Sequence, residues 1–201
     1  MISEKASEIF KKTINDYHLL DSIDQPFRNP YKLNSIDNLL YRKSWIDTIQ
    51  WHYEDLIRDP KINEKEALEL KRKIDVSNQE RTDTVEFIDS YFLKFFESVK
   101  PKQNATINTE SPAWALDRLS ILELKIYHMR EESLRENANK IHRETCSSKL
   151  SILIEQKKDL SQAIDQLLKD IKNGNKFMKV YKQMKMYNDE DLNPILYGLK
   201  G

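Results

Sequence analysis

Apolar residues recur at intervals of three and four along most of the chain, the spacing typical of amphipathic helices. A few residues carry the signals that divide this pattern into separate helices. Asn34 or Ser35 caps a second helix, Asn63 opens a third, and Ser111 precedes the proline that begins a fourth. Gly174 suits the left-handed position that ends a fifth. The pattern therefore predicts an all-α, antiparallel bundle of about five main helices, with a long central helix and a short C-terminal helix.

The chain is expected to form one domain, because 201 residues are enough for one compact core and nothing in the composition suggests a second. We expect an N-terminal helix and linker at residues 1–33, the bundle core at residues 34–173 and a C-terminal appendage at residues 174–201. The appendage begins with KFMKVYKQMKMY, which is expected to be a basic amphipathic helix. Such a helix packs on its own bundle with its lysines in water, or it lies on an anionic membrane or binds a partner.

Composition and charge exclude several classes of function. Lysine and arginine balance aspartate and glutamate at 33 each, so specific nucleic-acid binding is not expected. No apolar run approaches the roughly 18 residues of a membrane span, and the N-terminus lacks the apolar core of a signal peptide. The single cysteine, Cys146, fits a reducing compartment. We therefore expect a soluble cytoplasmic protein.

The first candidate site lies on the mostly apolar but charged stretch ESPAWALDRLSILELKIYH. A helix that is apolar over most of its circumference lies centrally in a bundle, so Asp117, Lys125 and His128 are expected to be at least partly buried. Arg81 falls on the apolar seam of the third helix, where a guanidinium needs a carboxylate or an anionic ligand. Placing helix four antiparallel to helix three brings Lys125 and His128 level with Glu86. We therefore expect these five residues to meet in the middle of the bundle.

Two interpretations of these five residues remain open. In the first, they form a pocket that binds an anionic small molecule through its phosphate or carboxylate, with His128 available as an acid or base. In the second, they form a satisfied polar layer in which Arg81 pairs with an internal carboxylate and fixes the register of its helix. An open cavity with unpaired cations supports the pocket, and closed salt bridges support the layer.

A second candidate cluster is WHYED, in which His52, Glu54 and Asp55 crowd within about one helical turn. Their spacing suits a metal ligand or an acid/base pair. The alternative is an i,i+4 ion pair between Glu54 and Arg58 near the end of the helix. No CxxC pair, GxSxG elbow or glycine-rich phosphate loop is present in the sequence. We therefore predict no metal site and identify no cofactor.

Several longer stretches of the sequence are distinctive. They are WIDTIQWHYEDLIRDP, KRKIDVSNQERTDTVEFIDSYF, INTESPAWALDRLSILELKIYHMREE, DLSQAIDQLLKDI and KVYKQMKMYNDEDLNPILYG. Together they resemble a helical family of unknown function from Bacteroidetes and related bacteria, over nearly the whole chain from Asn34 onward. The DRLSILELK portion is also similar to a phrase in small proteins encoded among genes for lipopolysaccharide and surface-glycan synthesis. This resemblance implies a biological setting, and it implies no reaction and no catalytic residue.

Three functions are compatible with these observations. The leading one is an accessory or anionic-ligand-binding protein in cell-surface polysaccharide synthesis. The second is an enzyme that acts on a nucleotide or sugar phosphate, through the same pocket or through the WHYED cluster. The third is a structural scaffold with internally paired charges, which contacts a protein partner or a second copy through its long third helix.

Overall fold

The computed structural model describes residues 1–184, 186 and 189–198. The described residues form five long helices, two strands of two residues each and a short sixth helix. The bounds of these elements are α1 Ile2–His18, α2 Ile36–Leu56, α3 Glu64–Phe95, β1 Thr106–Ile107, α4 Pro112–Leu134, α5 Lys140–Lys172, β2 Lys176–Phe177 and α6 Pro194–Tyr197. The predicted all-α bundle with five main helices is confirmed.

Local side-chain chemistry fixes where the central helices begin. Ser35, Asn63 and Ser111 each accept a hydrogen bond from the backbone N–H three residues further along the chain. These bonds satisfy donors that the first turn of a helix leaves open. Of the two alternatives for the start of α2, Ser35 is the cap, whereas Asn34 precedes it in a left-handed conformation with φ of 63°.

Side-chain pairs show that α2, α3 and α4 alternate in direction, because the numbers of paired residues rise along one helix as they fall along the next. The Gln50 side-chain amide on α2 donates to the Asn78 side chain on α3 over 2.9 Å. Further along α2, Tyr53 contacts Lys73, which lies earlier on α3.

The same relation holds between α3 and α4, where Asp117 on α4 pairs with Arg81 on α3. The Ser111 hydroxyl at the start of α4 donates to Asp89, near the end of α3, over 2.8 Å. The start of α4 therefore lies level with the last two turns of α3.

Helix α1 runs in the same direction as α2. Lys5, near the start of α1, lies 2.6 Å from a carboxylate oxygen of Asp37 at the start of α2. At the other ends of these helices the rings of Tyr17 and His52 stack, with centroids 5.0 Å apart. The linker at residues 19–35 returns the chain along the bundle and so allows the two helices to run in parallel.

All five long helices contribute to one apolar core. Its most enclosed side chains include one from each of these helices, namely Phe10, Leu40, Ile88, Leu119 and Ile164. Helix α4 is central, as its apolar circumference predicts, because it packs against each of the other four long helices. Polar residues on α4 are therefore brought against partners on several sides.

The C-terminal region differs from the expected basic helix. Gly174 has a φ of 68°, and a Cβ atom there would lie 2.8 Å from the carbonyl oxygen of Lys100, so the position requires glycine. After this turn β2 pairs in parallel with β1, and residues 178–184 adopt neither helix nor strand. The prediction of a helix over this stretch is wrong for those residues; at the start of the stretch, the pairing of β2 with β1 replaces helical bonds. Lys185 and Tyr187, which end the predicted helix, lie outside the described residues.

The short helical turn of the C-terminal region is α6, which comes later than predicted. Its N-cap is Asn193, whose side chain accepts a hydrogen bond from the backbone N–H of Ile195. Within the described part of the chain, none of the helices combines the length and apolar character needed to cross a membrane.

Candidate functional site

A closed network of two cations and two carboxylates lies between α2, α3 and α4. Lys43, whose side chain is 0% exposed, contacts Asp47 and lies 2.8 Å from an Asp117 oxygen. Arg81 donates to both Asp117 oxygens, over 3.0 Å from Nε and 2.8 Å from Nη2. The Ser120 hydroxyl donates to Asp47 over 2.6 Å. The two positive and two negative charges balance, and each charged side chain has a partner.

The electrostatics of this network act in opposite directions on its two carboxylates. Burial, together with repulsion from Asp117, raises the pKa of Asp47, although Lys43 and Ser120 oppose that shift. Burial by itself would raise the pKa of Asp117, but attraction to Lys43 and hydrogen bonds from Arg81 lower it overall. Arg81 keeps 28% of its side chain exposed and lines a shallow pocket of about 290 Å³. The guanidinium already binds a carboxylate through two of its N–H donors, so its charge is compensated within the network.

The WHYED cluster divides in the structure, since Glu54 and Asp55 line one shallow pocket whereas His52 packs against other aromatic rings. Glu54 lies 2.7 Å from Arg58 in an i,i+4 ion pair, which is the arrangement expected in the alternative interpretation. Asp55 is exposed and lines the same shallow pocket. His52 lies elsewhere, among other histidines, so this cluster does not form one site.

The five residues of the first candidate site do not meet either. Arg81 and Asp117 bind each other in the closed network. Glu86 accepts a hydrogen bond from the backbone N–H of Gln183 over 3.0 Å, and Lys125 is exposed in a groove between α4 and α5. His128 lies in the histidine cluster. The expectation that they converge is wrong because α4 starts level with Asp89, which places Lys125 and His128 about 20 Å further along the bundle than Glu86.

Three histidines converge where α1 and α2 end. His18, His52 and His128 come from α1, α2 and α4, and each offers a ring nitrogen within 4.8 Å of the others. All three Nε2 atoms are buried, and none has a hydrogen-bond partner among the residues that the structure describes. The nearest carboxylate is that of Asp21, whose Oδ1 lies 3.7 Å from His52 Nε2 and 4.0 Å from His18 Nε2.

Neighbouring groups hold the three rings in place. Nδ1 of His18 lies 2.7 Å from the backbone carbonyl of Ile14, which can only accept, so Nδ1 donates and Nε2 is the atom left open to a ligand. The Trp51 ring stacks on His128 at 4.8 Å with an interplanar angle of 10°. His52 stacks on Tyr17 in the same way. These contacts leave the rings little freedom to turn away from each other.

Burial favours the neutral form of two of the three imidazoles, those of His52 and His128. Burial lowers the pKa of His52, and the adjacent His18 lowers it further. Burial and the other two histidines lower the pKa of His128 to about 4. Neutral imidazole nitrogens with free lone pairs are suitable ligands for transition metals. Sequence reasoning missed this cluster because His18 stands alone at the end of α1, and no spacing connects it with the other two.

A basic groove lies beside the histidine cluster, between α1, α4 and α5. It has a volume of about 440 Å³ and is lined by four cations, namely Lys11, Arg130, Lys157 and Lys158. Glu123 is the one carboxylate among the described residues that line it, and its side chain is 1% exposed. Glu123 already accepts a hydrogen bond from the Ser7 hydroxyl and lies 2.6 Å from Lys157.

Crowding of positive charge is visible in the groove. The close approach of Lys157, together with burial, lowers the pKa of Lys11, and Arg130 contributes to the same shift. Tyr127 connects the two sites, since it lines the groove and its ring centroid lies 4.4 Å from that of His18. None of the groove cations was singled out from the sequence, because they are spread over three helices that only the packing brings together.

These features define a helical-bundle protein with a closed ion network, a histidine cluster and a basic groove. The chain belongs to DUF4254, a family of proteins of unknown function whose model matches residues 37–180. The matched range includes His52 and His128 and begins after His18. Comparison with curated proteins and with solved structures finds no match.

Proposed function

We propose that this protein binds an anionic small molecule in the groove between α1, α4 and α5. The observation that carries the proposal is the imbalance of charge: four cations line a groove with one carboxylate, Glu123, which pairs with Lys157 and leaves an excess of three positive charges. A ligand that carries a phosphate or several carboxylates complements this charge.

The energetics of the groove support a charged ligand. Like charges about 4 Å apart repel by about 1 kcal/mol in water and by about 4 kcal/mol near a protein surface. The fold nevertheless holds Lys11 close enough to Lys157 for its pKa to fall. A bound anion would offset this repulsion and would gain charge-assisted hydrogen bonds from several donors at once. A cavity of about 440 Å³ is within the range of small-molecule sites.

The ligand site proposed here lies in a different place from the pocket that the sequence suggested. The cations expected there do not act together, since Arg81 is engaged by Asp117 and Lys125 is exposed on another side of α4. The groove supports the same class of ligand at a different place. A role in cell-surface polysaccharide synthesis, a protein partner and a cytoplasmic location remain predictions, as does turnover of a nucleotide or sugar phosphate.

Calorimetric titration of the metal-free protein with inorganic pyrophosphate tests the proposal. The variants are Arg130→Glu and Lys158→Glu, whose side chains are exposed, so the fold should survive. The matched control is Lys125→Glu, which makes the same change of charge on another face of α4. We expect each groove variant to weaken binding at least about tenfold, equivalent to 1.4 kcal/mol, and the control to change it less than about twofold.

Two results would contradict an anion site in this groove. One is a wild-type protein that shows no saturable binding at millimolar pyrophosphate. The other is an equal loss of affinity in Lys125→Glu, because a general effect of net charge would then account for the binding.

A further inference from the structure

We propose that His18, His52 and His128 bind one divalent transition-metal ion through their Nε2 atoms, with Asp21 as a fourth ligand. The site would take Zn²⁺ or an ion of similar chemistry. It is separate from the anion groove and does not require an anion to bind there.

The three Nε2 atoms lower the stability of the protein as long as they have no ligand. Each of the three Nε2 atoms is buried, with no hydrogen-bond partner in the described part of the chain. A buried polar group without a partner costs about 1–3 kcal/mol, and native proteins contain few of them. Chance burial would scatter such atoms, whereas here three histidines on different helices each offer a ring nitrogen within 4.8 Å of the other two.

The distances between the three ring nitrogens are close to those at a tetrahedral metal ion. Zinc binds histidine nitrogen at about 2.0–2.1 Å, so two nitrogens on a tetrahedral zinc lie about 3.4 Å apart. The nitrogens of the cluster all lie within 4.8 Å of one another. Each ring therefore has to move inward by about 1 Å to close on an ion. That movement is small for side chains at the ends of α1 and α2, and it resolves all three unpartnered atoms together.

The residues around the three rings hold them as the surroundings of metal ligands do. Histidine ligands usually donate their second ring N–H to a carbonyl or carboxylate, which fixes the tautomer. His18 does this through Nδ1 and the Ile14 carbonyl at 2.7 Å. Trp51 and Tyr17 stack on the other two rings and hold their planes.

Asp21 completes the set of ligands. Its backbone adopts a left-handed φ of 46°, a conformation that aspartate tolerates better than most residues, directly after α1. Its carboxylate lies within 4.0 Å of two of the Nε2 atoms and is 61% exposed, so an ion has access from solvent on this side. Three nitrogens and one carboxylate oxygen form a common zinc ligand set, and nickel, cobalt and copper also accept imidazole.

The test is calorimetric titration of the full-length protein, freed of metal by a chelator and dialysed, with ZnCl₂. The variants are His52→Ala, His128→Leu and Asp21→Asn. His142→Ala is the control, because that histidine lies on α5 and already has Glu132 as a partner at 2.8 Å. We expect one equivalent of zinc to bind, with affinity at least about 100-fold weaker in the two histidine variants, about tenfold weaker in Asp21→Asn and within about twofold in His142→Ala.

Cobalt spectroscopy keeps the proposal falsifiable if a histidine variant fails to fold. Wild-type protein should develop the visible absorption of tetrahedral Co²⁺, saturating at one equivalent, and added zinc should abolish it. The absence of this spectrum, or an equal loss of zinc affinity in His142→Ala, would overturn the proposal. Pyrophosphate binding measured in metal-free His52→Ala separates the two sites, because it should be unchanged whether or not zinc binds.

Discussion

The ion network around Asp117 and the histidine cluster around His128 lie on the same helix, about three turns apart, and are built in opposite ways. In the network Lys43 and Arg81 each contact a carboxylate. In the cluster, three buried nitrogens lack hydrogen-bond partners among the described residues. Both centres are polar and both are enclosed by several helices, so burial alone does not distinguish them.

The comparison shows two kinds of buried polar group. Those of the ion network have partners within the fold, whereas those of the histidine cluster do not have them among the described residues. Removing one partner of a buried ion pair is costly, because it leaves an uncompensated charge inside the protein. Unsatisfied polar groups lower stability, and proteins keep them mainly where binding or catalysis requires them. The basic groove belongs with the histidine cluster in this respect, because its cations outnumber the carboxylate available to them.

The largest effect is expected from breaking the closed network. Lys43→Met removes a fully buried cation and leaves Asp47 and Asp117 to share Arg81. We expect a loss of about 3–5 kcal/mol in the free energy of unfolding, because an uncompensated buried charge is left behind. Urea denaturation measures it. Lys140→Met, at a side chain that is 81% exposed, should change stability by less than about 1 kcal/mol. A similar small change for Lys43→Met would mean that the network is not structural.

A loss of stability of intermediate size is expected when the pH is lowered, because His128 in the histidine cluster takes up a proton more readily in the unfolded chain. The pKa of His128 is lowered to about 4, below its usual value, so protonation favours the unfolded chain. Stability is therefore retained above about pH 6.5 and lost as the pH falls towards 4. We expect a loss of about 2 kcal/mol at most between pH 7 and pH 5 for the metal-free protein.

The variant His128→Leu isolates that contribution from other titrating groups. Its stability should fall less steeply than that of the wild type over the same range, as followed by thermal denaturation at each pH. Identical pH profiles for the two proteins would show that His128 is not the group responsible.

The smallest effect is expected at Arg118, the residue next to Asp117. Its guanidinium lies 2.9 Å from Glu110, but the two side chains are 63% and 38% exposed. Exposed ion pairs contribute little, so Arg118→Ala should change the free energy of unfolding by less than about 1 kcal/mol. A loss as large as that expected for Lys43→Met would contradict the distinction between the two environments.

Much of the fold could be predicted from the sequence because its signals are local. The caps at Ser35, Asn63 and Ser111 and the glycine at 174 act within a few residues of themselves, and each marks a helix boundary in the structure. The C-terminal stretch from Lys176 was predicted wrongly, since at its start the backbone pairs with a distant linker. Its helical spacing of apolar residues contains no information about that partner.

The candidate site was less predictable because it depends on the register between helices. The sequence indicated that Arg81 needs an internal carboxylate or an anion, and the structure supplies Asp117. The sequence could not indicate that Asp89 caps the start of α4, which places His128 further along the bundle than Glu86. His18 is the residue whose role was hardest to predict, since none of its neighbours along the chain marks it as a member of a cluster.

The most direct test of this comparison is the free energy of unfolding of the metal-free variants Asp117→Asn and His128→Leu, measured by urea denaturation at pH 7. We predict a loss of about 3 kcal/mol or more for Asp117→Asn, because Lys43 and Arg81 lose the charge that they share. We predict a change within about 1 kcal/mol, or a gain, for His128→Leu, because an apolar side chain of similar size replaces a buried nitrogen without a described partner. Equal and large losses in both variants would contradict the account, since the histidine cluster would then stabilise the fold as the ion network does.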